Sequence, residues 1–230
     1  MGAGCRVTFM GNTGLIGRRG LLVGGAALAT RHSAQASLPS PRSGELAFRL
    51  LRRGTPIGMH TLEFHPKRDE LAVDITVSVL VTFGPFVLAR YHHHNRETWQ
   101  DDRLVGLRSH TDRNGKKLQM SASWTDAGLL VEGSGTTPYI APDNAFATTY
   151  WRKATLLGPL IGTQDGMLMH PTIAQPKPEP IRLASGEQTL AQRYVMRGDL
   201  DVELWYDFDD AWLGMRFTVD DGSVVSYERL

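Results

Sequence analysis

The chain has 230 residues, with 25 Lys and Arg against 24 Asp and Glu, 41% hydrophobic residues and a single cysteine. These figures exclude a disordered polymer, a disulfide scaffold and a multi-span membrane protein, and they fit one ordinary globular domain.

Residues 1–36 read as an export signal. Gly17-Arg18-Arg19-Gly20-Leu21-Leu22 places paired arginines directly before the apolar stretch Leu21 to Ala29, which is shorter than the about 20 residues a bilayer span requires. Arg31 follows, then Ala34-Gln35-Ala36 before Ser37, a small-x-small site of the kind signal peptidase accepts, so cleavage is expected after Ala36. The arginine pair, and the dilution of the apolar run by Gly24 and Gly25, favour the twin-arginine route over the general secretory one. The partners expected during export are thus the twin-arginine translocase and signal peptidase, and the destination is the periplasm. A start at Met1 or at Met10 gives the same mature chain.

Removal of the leader takes away Arg6, Arg18, Arg19 and Arg31, four of the 25 basic residues and none of the 24 acidic ones, leaving 21 against 24 and a net charge of −3. A general nucleic-acid binder needs a concentrated positive surface, so none is expected. Cys5 leaves with the signal, which excludes a disulfide, a cysteine-ligated metal, a cysteine nucleophile and a lipidated N-terminal cysteine from the mature chain.

After a Pro/Ser linker over 37–44, a single β-rich domain is expected over 45–230. Leu71, Val73, Ile75, Val77, Val79, Val81 and Phe83 alternate with Asp74, Thr76, Ser78 and Thr82, the period of a long half-buried strand. Glu45 to Arg53 and Ile57 to His65 read as a hairpin through Gly54-Thr55-Pro56. Phe86 to Gln100 reads as paired with Arg103 to Asp112, and Lys116 to Thr125 follows the Asn114-Gly115 turn. Leu129 to Glu132 and Pro138 to Ile140 are short strands. Asp143 to Leu157 breaks the rhythm: Phe146, Tyr150, Trp151, Ala154 and Leu157 have helical spacing, predicting one helix or two short turns stopped by Gly158-Pro159. Strands are expected over Leu160 to Gln164 and near Gly166 to Ala174, then an extended, exposed loop at Pro176, Pro178 and Pro180. Gln188 to Met196, Asp199 to Phe208, Trp212 to Val219 and Ser223 to Arg229 form a meander. So many antiparallel strands cannot stay flat. Closed barrel and sandwich are alternatives; the expected fold is mostly β, a strongly curved antiparallel sheet (half-barrel or open barrel) with one short helix closing the hollow.

Gly58-x-His60-x-x-x-Phe64, the Tyr91 to Trp99 segment ending Arg96-Glu97-Thr98-Trp99, Thr149-Tyr150-Trp151, Leu204-Trp205-Tyr206-Asp207 and Met215-Arg216-Phe217 together resemble an uncharacterised family of exported proteobacterial proteins. The resemblance spans Glu45 to the C-terminus. In strand rhythm that family is similar to periplasmic half-barrels such as the lipoprotein-localisation carriers. It implies an envelope location and a curved sheet, and supplies no catalytic residues.

Candidate residues therefore come from the alternation itself. The odd positions of Phe86 to Trp99 present Tyr91, His93, Asn95, Glu97 and Trp99; on a concave face they place an imidazole and a carboxylate in a partly apolar hollow, where ligands bind. His60 shares the face of Leu62 and Phe64, and Tyr150 and Trp151 are large amphipathic rings that either seal or pack the mouth. The candidate ligand-binding set is His60, Tyr91, His93, Glu97, Trp99, Tyr150 and Trp151. His92 and His94 share the other face but two ligands do not make a metal site, and no nucleophile elbow, phosphate loop or dinucleotide fingerprint occurs, so neither metal nor cofactor is expected. Three functions stay open: binding of an apolar or amphipathic ligand, lipid-like or a hydrophobic envelope-protein segment; acid–base catalysis by His60 or His93 with Glu97; and envelope assembly through protein contacts. The oligomeric state is not written in the sequence.

Overall fold

The structure, a computed structural model, describes Pro41 and residues 43–230. The export signal, its cleavage site, Cys5 and most of the linker lie outside the described residues. Eight strands follow one another as hairpins: β1 (Glu45–Arg52), β2 (Thr55–Pro66), β3 (Leu71–Phe83), β4 (Phe86–Gln100), β5 (Arg103–Arg113), β6 (Lys116–Thr125), β7 (Gly128–Gly133) and β8 (Thr136–Ile140). A crossing segment comes next, holding β9 (Phe146–Ala147), a single 3₁₀ turn (Lys153–Leu157), β10 (Leu160–Ile161) and β11 (Leu168–Met169). The chain then returns to the sheet in β12 (Thr172–Ile173), β13 (Lys177–Arg182), β14 (Gln188–Arg197), β15 (Val202–Tyr206), β16 (Trp212–Thr218) and β17 (Val224–Arg229).

Fourteen of these strands make one antiparallel sheet in the order β12-β14-β15-β16-β17-β1-β2-β3-β4-β5-β6-β7-β8, with β13 beside β14; β11, β10 and β9 form a separate small sheet. The last strand, β17, lies between β16 and β1, so consecutive hairpins from both halves of the chain share one surface. The alternation of β3 and β4 is obeyed: Val73, Ile75 and Val77 are buried together with His93, Asn95, Glu97 and Trp99, while His92, His94 and Arg96 are exposed. Rows of side chains run across the strands, one being Phe48, His60, Val77, His93 and Thr111.

The sheet is bent around the crossing segment. Six strand spacings separate β15 from β4, about 29 Å if flat. Yet Tyr206 Oη donates to the Tyr150 carbonyl at 2.7 Å, and the indole of the very next residue, Trp151, donates to Glu97 at 2.9 Å. The sheet does not close: β8 is not paired with β12, β13 or β14.

Two expectations are corrected. No α-helix covers Asp143 to Leu157, and a largely irregular strap with the single 3₁₀ turn takes the place of the closing helix. Tyr150 has φ +59, a conformation that ends a right-handed helix, and the β-branched Thr148 and Thr149 before it also disfavour one. The helical spacing of the rings serves another end, since Tyr150 faces Trp212 on β16 and Trp151 faces Trp99 on β4. Likewise, the proline-rich stretch is strand β13, paired to β14 from Lys177 to Arg182. Pro178 and Pro180 are two apart, so their missing N–H groups both fall on the edge away from β14, and Pro176 precedes the strand.

Candidate functional site

All seven candidate residues lie on the inner side of the sheet, in two groups. The first centres on Glu97, which is fully buried. Its Oε2 accepts from Trp99 Nε1 at 2.8 Å and from Trp151 Nε1 at 2.9 Å, and Thr149 and Asn95 also hydrogen-bond the carboxyl group. Burial pushes its pKa above the usual carboxylate range, against the pull of those four partners. Arg152 walls this group: its guanidinium carbon lies 4.5 Å from the Trp99 ring centroid, and it is paired with Asp102. Trp151 also packs edge-on against Phe64 at 5.2 Å. Glu97 thereby fastens the strap to β4, and Ser109, which donates to the Thr163 carbonyl, fastens it to β5. No hydrogen bond joins Glu97 to either buried histidine among the described residues.

The second group surrounds His60. Ring centroids of Trp212 and Tyr227 lie 5.5 and 5.6 Å away, both edge-on, and Phe48 is at 6.1 Å. Burial, with His93 nearby, lowers the His60 pKa from 6.5 to about 3, so the ring is neutral and holds one donor and one acceptor. Both nitrogens are buried without a hydrogen-bond partner among the described residues, and so is Asn95 Oδ1. His93, two strands from His60 and about 10 Å across the sheet, shares a 2.8 Å hydrogen bond between Nδ1 and Thr111 Oγ1. Its pKa is lowered to about 4 by burial and by His94 and His92. Tyr91 stacks on His93 at 6.3 Å and is only half-buried, so it forms the solvent edge of an otherwise buried group. Tyr150 links the groups through its 6.1 Å contact with Trp212.

The backbone here depends on Gly58, because a Cβ at that position would stand 2.0 Å from the Ser78 carbonyl oxygen. Only glycine lets β2 approach β3 so closely beside His60. Phe48, Trp212 and Tyr227 were not foreseen as walls of His60. Their signal was the alternation of Trp212 to Thr218 and Val224 to Arg229, but only the β16-β17-β1-β2 order brings those positions to His60. Outside, His92 Nδ1 meets Ser78 Oγ at 3.0 Å and His94 lies 3.9 Å from Asp74. Among the described residues, no group of three His, Cys, Asp or Glu is arranged to hold a metal ion.

What such a face can do is hold an uncharged or weakly polar group. Neutral imidazole and amide oxygen offer hydrogen bonds inside a wall of rings that shields them from water, so they gain strength there. A ligand with an apolar body and a polar head matches this distribution.

No curated protein matches the chain. Among solved structures, it is similar to a crystal structure from Brucella abortus of a β-barrel-like protein of the domain of unknown function DUF1849. The likeness has a TM-score of 0.56 at 10% identity, and covers 81% of this chain and 94% of that one, so it concerns the fold. The model of the domain of unknown function DUF6134 matches residues 48–230, a span that takes in the sheet, the strap and both buried groups, and the chain belongs to that family.

Proposed function

We propose that this is an exported periplasmic protein that binds an apolar or amphipathic molecule, lipid-like or a hydrophobic segment of an envelope protein, on the concave face of a half-barrel. The single observation that carries the reading is the pair of unpartnered His60 nitrogens, buried among Phe48, Trp212 and Tyr227, with a further unpartnered buried oxygen, Asn95 Oδ1, on the same face. Burying such atoms unpaired costs about 1–3 kcal/mol each, which a bound polar head would relieve. The leader at Arg18-Arg19 and Ala34-Gln35-Ala36 supports the export part of the reading.

Native mass spectrometry of the protein purified from its own periplasm, before and after denaturation, tests it. The expected result is a mass excess released on unfolding and lost in His60→Phe. A bare polypeptide mass for the unaltered protein overturns it.

A further inference from the structure

At one end strands β3 and β4 part from both of their neighbours, β2 continuing beside β1 as far as Thr55. The register with β2 stops at Gly58↔Val79, and the register with β5 stops at Tyr91↔Arg113. From Leu80↔Arg90 to Phe83↔Phe86 the two strands pair only with each other. Asn114 marks the root of this ribbon: its Oδ1 accepts from the Arg90 N–H at 2.7 Å, and its own N–H donates to the Arg90 carbonyl at 2.9 Å. Beyond the root the hairpin extends roughly four residue steps, about 13 Å, and turns at Gly84, whose φ is +58.

The projecting part is apolar where a solvated hairpin would be polar. Phe83 is 74% and Phe86 67% exposed, and Leu80, Val87 and Leu88 are also exposed. A register shift between Val81 and Thr82 leaves Leu88 unpaired, which distributes these side chains around the tip. A contiguous exposed cluster of this kind marks an interaction site. Its surroundings are basic. No carboxylate occurs between Asp74 and Glu97; Arg90 at the root acts on Asp112 without a salt bridge to it, and Lys116 on β6 and Arg53 in the β1–β2 turn form no salt bridge among the described residues. Nearby Arg113 and Lys117 are paired with Asp220 and Asp112, so the cations are in excess.

We propose that this hairpin docks the protein on the surface of a bilayer containing anionic phospholipid. Phe83, Phe86, Leu80, Val87 and Leu88 enter the acyl boundary, and Arg90, Arg53 and Lys116 meet the headgroup phosphates. The reach of the tip suits an insertion of about 5–10 Å. A protein partner would satisfy the apolar tip but would leave the basic root unexplained; a charged lipid surface satisfies both. The inference goes beyond the ligand reading and does not require an occupied inner face, so vesicle binding and ligand retention can fail separately.

Co-sedimentation of the full chain with phosphatidylcholine vesicles, with and without phosphatidylglycerol, is the test. Binding is expected with phosphatidylglycerol and weaker without it. Phe83→Ser with Phe86→Ser should weaken binding at least about tenfold, and Arg90→Gln about fivefold on the anionic vesicles alone. Both variants should keep the melting temperature to within a few degrees, because these side chains are exposed. Three results overturn the proposal: no binding by the unaltered chain; full binding by the double variant, which would locate the contact elsewhere, for example in residues 21–29; or a dimer abolished by the double variant without vesicle binding, which would assign the tip to a second copy.

Discussion

At the Glu97 end of the inner face a carboxyl group is buried and answered, with two indole donors on one oxygen, Thr149 and Asn95 beside it, and Arg152 across Trp99. At the His60 end, about four residue steps away along β4, both imidazole nitrogens are buried and left unanswered among rings. The same sheet supplies both, so the difference is not one of fold. It comes from the strap, which contributes Thr149, Trp151 and Arg152 to one end and only the Tyr150 ring, touching Trp212, to the other. Polar burial without partners lowers stability, so the two ends differ in what each contributes to the fold.

Trp151→Ala attacks the satisfied end and should have the largest effect. It removes a buried ring and one Glu97 donor, and should cost about 3–5 kcal/mol in urea unfolding; a loss below about 1 kcal/mol would mean that the strap is not what holds that end together. The pH dependence of stability comes next. The folded pKa values of His60 and His93 are depressed from 6.5 to about 3 and about 4, so their contribution is present above pH 6.5 and lost as pH falls. The slope is about 1.4 kcal/mol per pH unit for each histidine. Glu97 has the opposite sign. Its folded value lies above 4.5, so its contribution is complete below 4.5 and lost as pH rises through the folded value. Denaturant midpoints measured from pH 4 to 7 should steepen toward acid, and His60→Phe should remove one proton from that slope; an unchanged slope would break the comparison.

At pH 7, His60→Phe should leave stability unchanged or raise it by about 1 kcal/mol, because it replaces unpartnered nitrogens with carbon. Destabilisation well beyond that would mean the imidazole is satisfied in solution. The smallest effect belongs to the outer face. Arg96 pairs with Asp74 at 2.8 Å but is half exposed, and Arg96→Gln should change stability by less than about 0.5 kcal/mol, calibrating the inner-face results.

The inward set on β4 was legible because period-two alternation needs no knowledge of neighbouring strands: Tyr91, His93, Asn95, Glu97 and Trp99 follow from parity alone. The identity of what surrounds them was not. Trp151 beside Glu97 and Tyr227 beside His60 are meetings between residues far apart in sequence, fixed by strand order and by the path of the strap. The mistaken helix shows the limit of spacing as a signal. Large rings at helical intervals also suit an irregular strap that sends successive side chains to opposite walls, and only the backbone at Tyr150 distinguishes the two. The prolines of β13 misled for a related reason, since a single unpaired edge accommodates them both.

The placement of β17 has a kinetic consequence. It pairs with β1 from Phe48↔Arg229 to Arg52↔Val225, and the Leu230 N–H donates to the Ala47 carbonyl at 3.0 Å. The first strand of the sheet therefore acquires its second neighbour only when the last strand arrives, a closure across nearly the whole chain, with the high contact order that slows folding. Until then β1 presents a free edge that can recruit another chain. A chain stopped at Asp220 would keep the Glu97 group but lose the Tyr227 wall of His60, and would leave β1 and β16 as open edges prone to aggregation.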